Sequence, residues 1–396
     1  MDQIPRRRFV ALAAGAAVAG VAGPLGVASA QSPAAPRPAP GVSPADPGGF
    51  VYPVPGQTTG PGVLPAKPAS VEYLGRQDYG TEVARDLGFS GVVNGQSVWT
   101  FGDTLLPDGN GGYALVASDS VGLGDSSNPL RVYDRADSSG PTEWIPLNDA
   151  ENANGGLGRY GMGGTNVIEY APGQGLVWYL KNDRGANGQG IVGAGVATVA
   201  IGPYGPIATR ASDTMWGPTE PWWGDNGVTY NPLDGKAYVY GHGPAPFDNN
   251  VYLARATAAA ATDVSAYEYW DQSSQSWTPR RFSLSGALGT VVLSDALAIF
   301  PKGELGQSNA FWSNYYNTWM YVAGANVGYS DIMVSTAPAL EGPWTTPVTI
   351  ASSCPSGSCG LRYAIAPHPE YDPSGASILV TWTDSNVIYT ARIHWQ

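Results

Sequence analysis

Apolar residues in this chain gather into short runs that end on Gly or a polar side chain, the pattern of β-strands and not the 3.6-residue rhythm of helices. Five runs are alike: Ser97–Asp103, Leu176–Asp183, Ala237–His242, Trp319–Asn326 and Ile378–Asp384. Each follows a turn rich in Gly, Asn, Asp or Pro, at 94–95, 172–175, 233–235, 316–318 and 373–375. Each turn follows another strand, which begins after Asp86, Asn166, Asp225, Asn309 or His368. Asp86 to Asp103, Asn166 to Asp183, Asp225 to His242 and Asn309 to Asn326 are each 17 residues, and His368 to Asp384 is 16.

A two-stranded unit repeated five times is the signature of a propeller. Third strands follow at Asn250–Arg255 and Ile332–Thr336, and Pro347–Ile350, after the turn Gly342-Pro343-Trp344, reads as a fourth. The expected fold is all-β: a five-bladed β-propeller with four-stranded blades. The competing architecture is a β-sandwich whose turns share this spacing by coincidence. Seven blades would need more residues than the chain has. In a propeller the first strand of each blade lines the central channel, and its start lies at the same mouth as the end of the second strand. Asp86, Asp103, Asn166, Asp183, Asp225, His242, Asn309, Asn326, His368 and Asp384 are thus expected to ring one mouth.

Composition narrows the class. Charged residues are 13% of the chain against 53 Gly, 22 Tyr and 13 Trp, which suits many short strands and disfavours helical bundles. A net charge of −12 argues against nucleic acid or anionic membrane as partners. Residues 1–30 combine Arg6-Arg7-Arg8-Phe9, an Ala/Gly/Val run and Ala28-Ser29-Ala30, and read as an export signal of the twin-arginine type, with an ordinary secretory signal as the alternative. Gly20, Gly23 and Pro24 interrupt the apolar run, so no membrane span is expected. Removing this segment takes away three Arg and one Asp, which leaves 17 basic and 31 acidic residues and a net charge of −14. Residues 31–69 hold 11 Pro and read as an extended linker, which leaves 70–396 for the propeller. The protein is expected to be secreted, cell-wall associated and monomeric. In an exported chain Cys354 and Cys359 are expected to pair.

Five Asp and two His in one ring is more polar chemistry than a structural tunnel needs. Glycoside hydrolysis uses two carboxyl groups, one protonated and one ionised, and crowding carboxylates at a channel mouth pushes their pKa values apart. Asp86 and Asp103 are the leading pair, because only the first repeat has a carboxylate at both ring positions. The bland alternatives are that Asp86 pairs with Arg85 and that Asp103 caps a turn through Thr104. The segment Met215–Gly227 places Trp216, Trp222 and Trp223 beside Glu220 and Asp225. Trp faces stack on sugar rings, and Glu220 or Asp225 is a candidate third carboxylate; a Trp-rich turn packed between blades explains the segment equally well. Asn166, Asp183, His242, Asn309, Trp312 and His368 complete the candidate substrate-binding set, with Tyr315, Tyr316 and Tyr363 as weaker platforms. No His-x-x-x-His or Glu-x-x-His pattern supports a zinc site. No cofactor is called for; a Ca²⁺ held by Asp and Asn oxygens in the channel is the one option left open.

The pairing of Arg85-Asp86-Leu87-Gly88 with Trp99-Thr100-Phe101-Gly102-Asp103-Thr104 resembles the opening of secreted proteins grouped as domain of unknown function 4185, some of them classed as glycoside hydrolase family 183. The likeness is sharpest over residues 82–104. It implies a five-bladed propeller, endo-D-arabinanase activity and Asp86 with Asp103 as the catalytic pair. A more distant likeness is to family 43-type propellers, in which Gly-Pro-Trp turns recur. Three readings follow: a glycoside hydrolase acting on a furanose-containing or other wall polysaccharide, a non-catalytic carbohydrate-binding propeller, and an exported scaffold.

Overall fold

A computed structural model of the chain describes residues 62–396 apart from 136–139, 186–189, 245–247, 287–288, 302–304 and 325–327. Residues 1–30, read above as an export signal, most of the segment read as a linker, and Asn326 lie outside the described residues.

Strand β1 (Pro68–Arg76) leads into blade one, built in the order β2 (Ala84–Val93), β3 (Gln96–Pro107), β5 (Ser120–Asp125), β6 (Asn128–Asp134), with β4 (Tyr113–Ala117) paired to the far end of β3. A crossover carrying the short helix α1 (Asp149–Ala153) reaches blade two: β7 (Tyr160–Ala171), β8 (Gln174–Asp183), β9 (Gly190–Gly202) and β10 (Gly205–Arg210). Blade three runs β11 (Trp222–Asn231), β12 (Lys236–His242), β13 (Val251–Thr257), β14 (Glu268–Asp271) and β15 (Ser276–Thr278). A two-stranded parallel pair, β16 (Phe282–Ser283) and β17 (Val291–Val292), precedes blade four: β18 (Ala310–Ser313), β19 (Thr318–Gly324), β20 (Asp331–Ala337) and β21 (Val348–Ser352). Blade five is β22 (Arg362–His368), β23 (Ser377–Asp384) and β24 (Val387–Trp395), and its outermost strand is β1. The fold is the expected five-bladed propeller, and the strand from the start of the described chain closes the ring. Gln396 donates its backbone N–H to the Lys67 carbonyl at 3.0 Å beside that closure.

Strands buried on both faces read as continuous apolar runs, which is why Leu176–Tyr179 and Ala237–Tyr240 carry little polar alternation. Apolar clusters fill the seams between neighbouring blades; the largest, between blades two and three, holds Trp178, Trp216, Trp223, Tyr252 and Tyr269. The inner strands approach so closely that a Cβ at Gly91 would stand 1.8 Å from the Val167 carbonyl oxygen. Threonine hydroxyls tie blade to blade: Thr100 Oγ1 donates to the Thr165 carbonyl at 2.7 Å, Thr229 Oγ1 to Ala310 at 2.7 Å and Thr381 Oγ1 to Gly88 at 3.0 Å. Cys354 and Cys359 are bridged as expected.

Four of the five inner strands bulge near the mouth, between Arg85 and Phe89, Gly164 and Val167, Trp223 and Val228, and Tyr363 and Ala366. Bulges bend a strand and re-aim its side chains. Several of these residues lie in the left-handed region, including Leu87 (φ 68°) and Ala364 (φ 53°). The fifth repeat is framed differently from the sequence reading. Eight residues, 369–376, join β22 to β23, whereas two, 94–95, join β2 to β3. A fixed spacing therefore set His368 at the start of an inner strand when it is the last residue of β22.

Candidate active site

Asp86 and Asp103 meet at the mouth of blade one. The bulge that skips Asp86 opposes Arg85 to Thr104 and Leu87 to Phe101, and it leaves Asp86 close enough to feel the charge of Asp103. Gly102 makes the space: a Cβ there would stand 2.3 Å from Asp86 Oδ1. Arg85 does not neutralise its neighbour. It pairs with Asp134 and lies over the rings of Tyr79 and Phe101, at 4.7 and 4.6 Å. Thr104 does not cap Asp103 either; its Oγ1 contacts the Gly102 carbonyl and Ser120 Oγ.

The two carboxyls differ in surroundings. Asp86 is buried, its Oδ2 accepts from the Tyr363 hydroxyl at 2.8 Å, and its Oδ1 has no partner. Burial, then the charge of Asp103, pushes Asp86 up to about 8. Asp103 is 24% exposed, with Arg184 Nη2 3.5 Å from its Oδ1. Burial raises Asp103 as well, and Arg184 opposes that rise. Asp86 is the more deeply buried of the two and has no arginine beside it, so a proton shared by the pair is favoured on Asp86 and a negative charge on Asp103.

The other ring positions make contacts of their own within and between blades. Asn166 staples blade two to blade three, donating from Nδ2 to the Val228 carbonyl at 2.7 Å and accepting the Val228 N–H on Oδ1 at 2.8 Å. Asp183 is gripped by Arg159 at 2.8 and 2.9 Å. Asn309 is buried beside the Gly227 bulge. Asp225 is buried in the β11 bulge, where Gln307 Nε2 donates to it at 2.8 Å; burial raises its pKa and His242 lowers it. His242 Nδ1 contacts the Gly243 carbonyl at 2.6 Å.

Several candidates lie away from the mouth. His368 is fully buried between blades five and one, its ring stacked on Trp99 and bonded to Ser90 and Thr381; burial lowers its pKa to about 3, so it stays neutral. Trp216 and Trp223 are buried in the seam between blades two and three, with Trp216 Nε1 donating to Tyr269 at 3.0 Å. Of the three tryptophans of that segment only Trp222 is part-exposed, 5.6 Å from the His242 ring. Glu220 is committed to Arg281, which donates from Nε at 2.7 Å and again from Nη2, and it also accepts the Gly217 N–H at 2.8 Å. Trp312 stands at the turn end of β18, edge-on to Trp319, far along the strand from Asn309.

Sequence reasoning missed Arg184, Glu143 and Asp119, and it read Tyr363 as a sugar platform. Arg184 follows the ring residue Asp183, a signal available in the repeat. Asp119 and Glu143 lie outside the repeated strand pair and carry no such signal. Among the described residues, no three His, Cys, Asp or Glu side chains group to hold a metal ion, and no helix is long and apolar enough to cross a membrane.

No family model matches the chain, and no curated protein matches it. Solved structures do. A protein from Bacteroides ovatus ATCC 8483, provisionally named a hydrolase, aligns at 14% identity over 80% of this chain and 86% of its own, with a TM-score of 0.55. The exo-β-1,3-galactanase of Phanerochaete chrysosporium aligns at 13% identity over 81% of this chain and 63% of its own, TM-score 0.49. Zg3597, a family 117 glycoside hydrolase from Zobellia galactanivorans, aligns at 12% identity over 86% and 91%, TM-score 0.47. The likeness to the Bacteroides ovatus protein is one of fold.

Proposed function

We propose that this protein is a secreted glycoside hydrolase that cleaves a furanose-containing or other cell-wall polysaccharide in the manner of an endo-D-arabinanase, with Asp86 as the acid and Asp103 as the base or nucleophile. One observation carries the reading: two carboxyls share a channel mouth, one buried without an arginine partner and the other more open beside Arg184, which favours a proton on the first and a charge on the second. Asp86 keeps its proton because burial and the neighbouring charge penalise the anion, so it can protonate a leaving glycosidic oxygen near neutral pH. Asp103, more open and beside Arg184, supplies the negative charge that activates water or attacks the anomeric carbon. Tyr363 fixes Asp86 in place. The substrate class rests on the resemblance over residues 82–104, and secretion on the residue 1–30 pattern. The monomeric state is likewise part of the proposal.

The test is reducing-end release from mycobacterial-type arabinan, arabinogalactan and pectic arabinan by the purified protein, Asp86→Asn and Asp103→Asn. Hydrolysis by wild type with loss of several orders of magnitude in both folded variants supports the assignment. Near-normal turnover in either variant refutes it. Binding of these glycans without any cleavage would identify a carbohydrate-binding propeller instead.

A further inference from the structure

Arg184 stands one residue beyond β8, at the mouth of blade two. Besides its 3.5 Å approach to Asp103, Nη2 donates to Ser118 Oγ at 3.1 Å, and Nη1 donates to the Leu157 carbonyl at 3.5 Å. Gly161 leaves room for this contact: a Cβ there would stand 2.8 Å from Arg184 Nη2 and 2.6 Å from Ser118 Oγ. The guanidinium is largely enclosed, 12% exposed.

Behind it lies a second pair of carboxyls. Glu143 Oε2 accepts the Ser118 N–H at 2.8 Å, and Asp119 Oδ2 accepts the Ile145 N–H at 2.9 Å. Asp119 and Glu143 are hydrogen-bonded to each other, and Glu143 also accepts from the Met162 backbone N–H. Two bare carboxylates repel, so this bond holds a proton; burial pushes both groups up, Glu143 to about 7, and the pair carries at most one negative charge. Arg184 thus lies between two carboxyl pairs, Asp86–Asp103 and Asp119–Glu143. The other charged neighbours, Arg159 and Asp183, neutralise each other. Asp103 is faced by Asp86 from β2, by Tyr363 from β22 and by Arg184.

We propose that Arg184 is the positioning residue of the site: it holds Asp103 as a carboxylate, and the proton-sharing Asp119–Glu143 pair in turn holds Arg184. Arg184 touches no reacting atom in this scheme; it decides which of the two aspartates gives up the proton. The proposal deepens the hydrolytic reading and rests on it for its effect on turnover, but not for its effect on ionisation.

The test follows the ¹³Cγ titration of Asp103 by NMR in the whole protein, together with the pH profile of kcat/KM on whichever of the three arabinan substrates wild type cleaves. Arg184→Met should raise the Asp103 titration and the acidic limb by about one pH unit, the low end for a carboxylate losing an arginine partner. Arg184→Gln, which retains a donor for Ser118, gives the same reading if the Met variant does not fold. Arg184→Lys should return both toward wild type. The double variant Asp119→Asn/Glu143→Gln keeps an uncharged hydrogen-bonded pair and leaves the arginine charge unopposed, so both should move downward. A purely structural role gives no such opposed shifts. An Asp103 titration unmoved in Arg184→Met and Arg184→Gln overturns the proposal, as does a double variant that shifts upward. If the titrations move as expected but Asp103→Asn still hydrolyses glycan, the hydrolytic reading fails and the electrostatic one stands.

Discussion

The Tyr363 hydroxyl donates to Asp86 Oδ2 at 2.8 Å across the seam between the fifth and first blades. Residues 277 positions apart in sequence thereby meet in one hydrogen bond. The bond favours the ionised form of Asp86 and offsets part of the upward push of burial. Tyr363→Phe removes it while keeping the ring. A hydrogen bond to a charged group contributes about 1.5 kcal/mol, so the alkaline limb of kcat/KM, set by Asp86 near 8, should move up by about one pH unit. A limb that stays put would detach Asp86 from the acid role.

Asp86 also links stability to pH. It titrates near 8 in the folded protein and near 3.9 in an unfolded chain (about the model-peptide value). Between those values the folded state keeps a proton that the unfolded state releases, so stability falls as pH rises through the window. Asp86→Asn abolishes this loss. Its Tm should exceed that of wild type near pH 8 and converge on it near pH 4, while turnover disappears. Calorimetry across that range checks the sign, and a Tm difference independent of pH would show that Asp86 is not protonated in the fold.

The tryptophans of 215–227 divide by burial. Trp223 is fully enclosed, so Trp223→Ala should cost about 3–5 kcal/mol of stability. Trp222, part-exposed at the mouth beside His242, should lose little stability as Ala but weaken glycan binding by roughly 1–3 kcal/mol, by analogy with ring stacking on flat ligands. Urea unfolding and glycan titration of both variants separate the two effects.

Glu220 should prove structural. Its carboxylate is taken up by Arg281 and the Gly217 N–H, which leaves no acid or base capacity to spare. Glu220→Gln is expected to lower Tm and retain turnover. A folded Glu220→Gln protein with turnover reduced by orders of magnitude would return Glu220 to the catalytic set.

The Cys354–Cys359 bridge closes a loop with a sequence separation of 5, and a loop that short constrains the unfolded chain by only about 2 kcal/mol. Cys354→Ser/Cys359→Ser should fold with the same far-ultraviolet circular dichroism and a slightly lower Tm. Failure to fold would mean that the bridge does more than tie its own loop.

The sequence by itself determined the five-fold repeat of a strand, a turn and a second strand, because each blade must bury both faces of its inner strands and must turn back within a few residues. It also determined Asp86 and Asp103 as a pair, since strand pairing inside one blade is local and a repeat with carboxylates at both mouth positions is visible in the residues. Tertiary structure alone decided the rest. His368 left the ring because the link between β22 and β23 is longer than in blade one, and a spacing rule cannot count a loop it does not know. Trp216 and Trp223 went to a seam between blades, where burial depends on the neighbouring blade and not on their own segment. Arg184 and Tyr363 reach the site from other blades, Asp119 from the link between β4 and β5, and Glu143 from the crossover to blade two. Their charges act through space across a ring whose closure joins β1 to β24, and no local pattern in the chain encodes that distance.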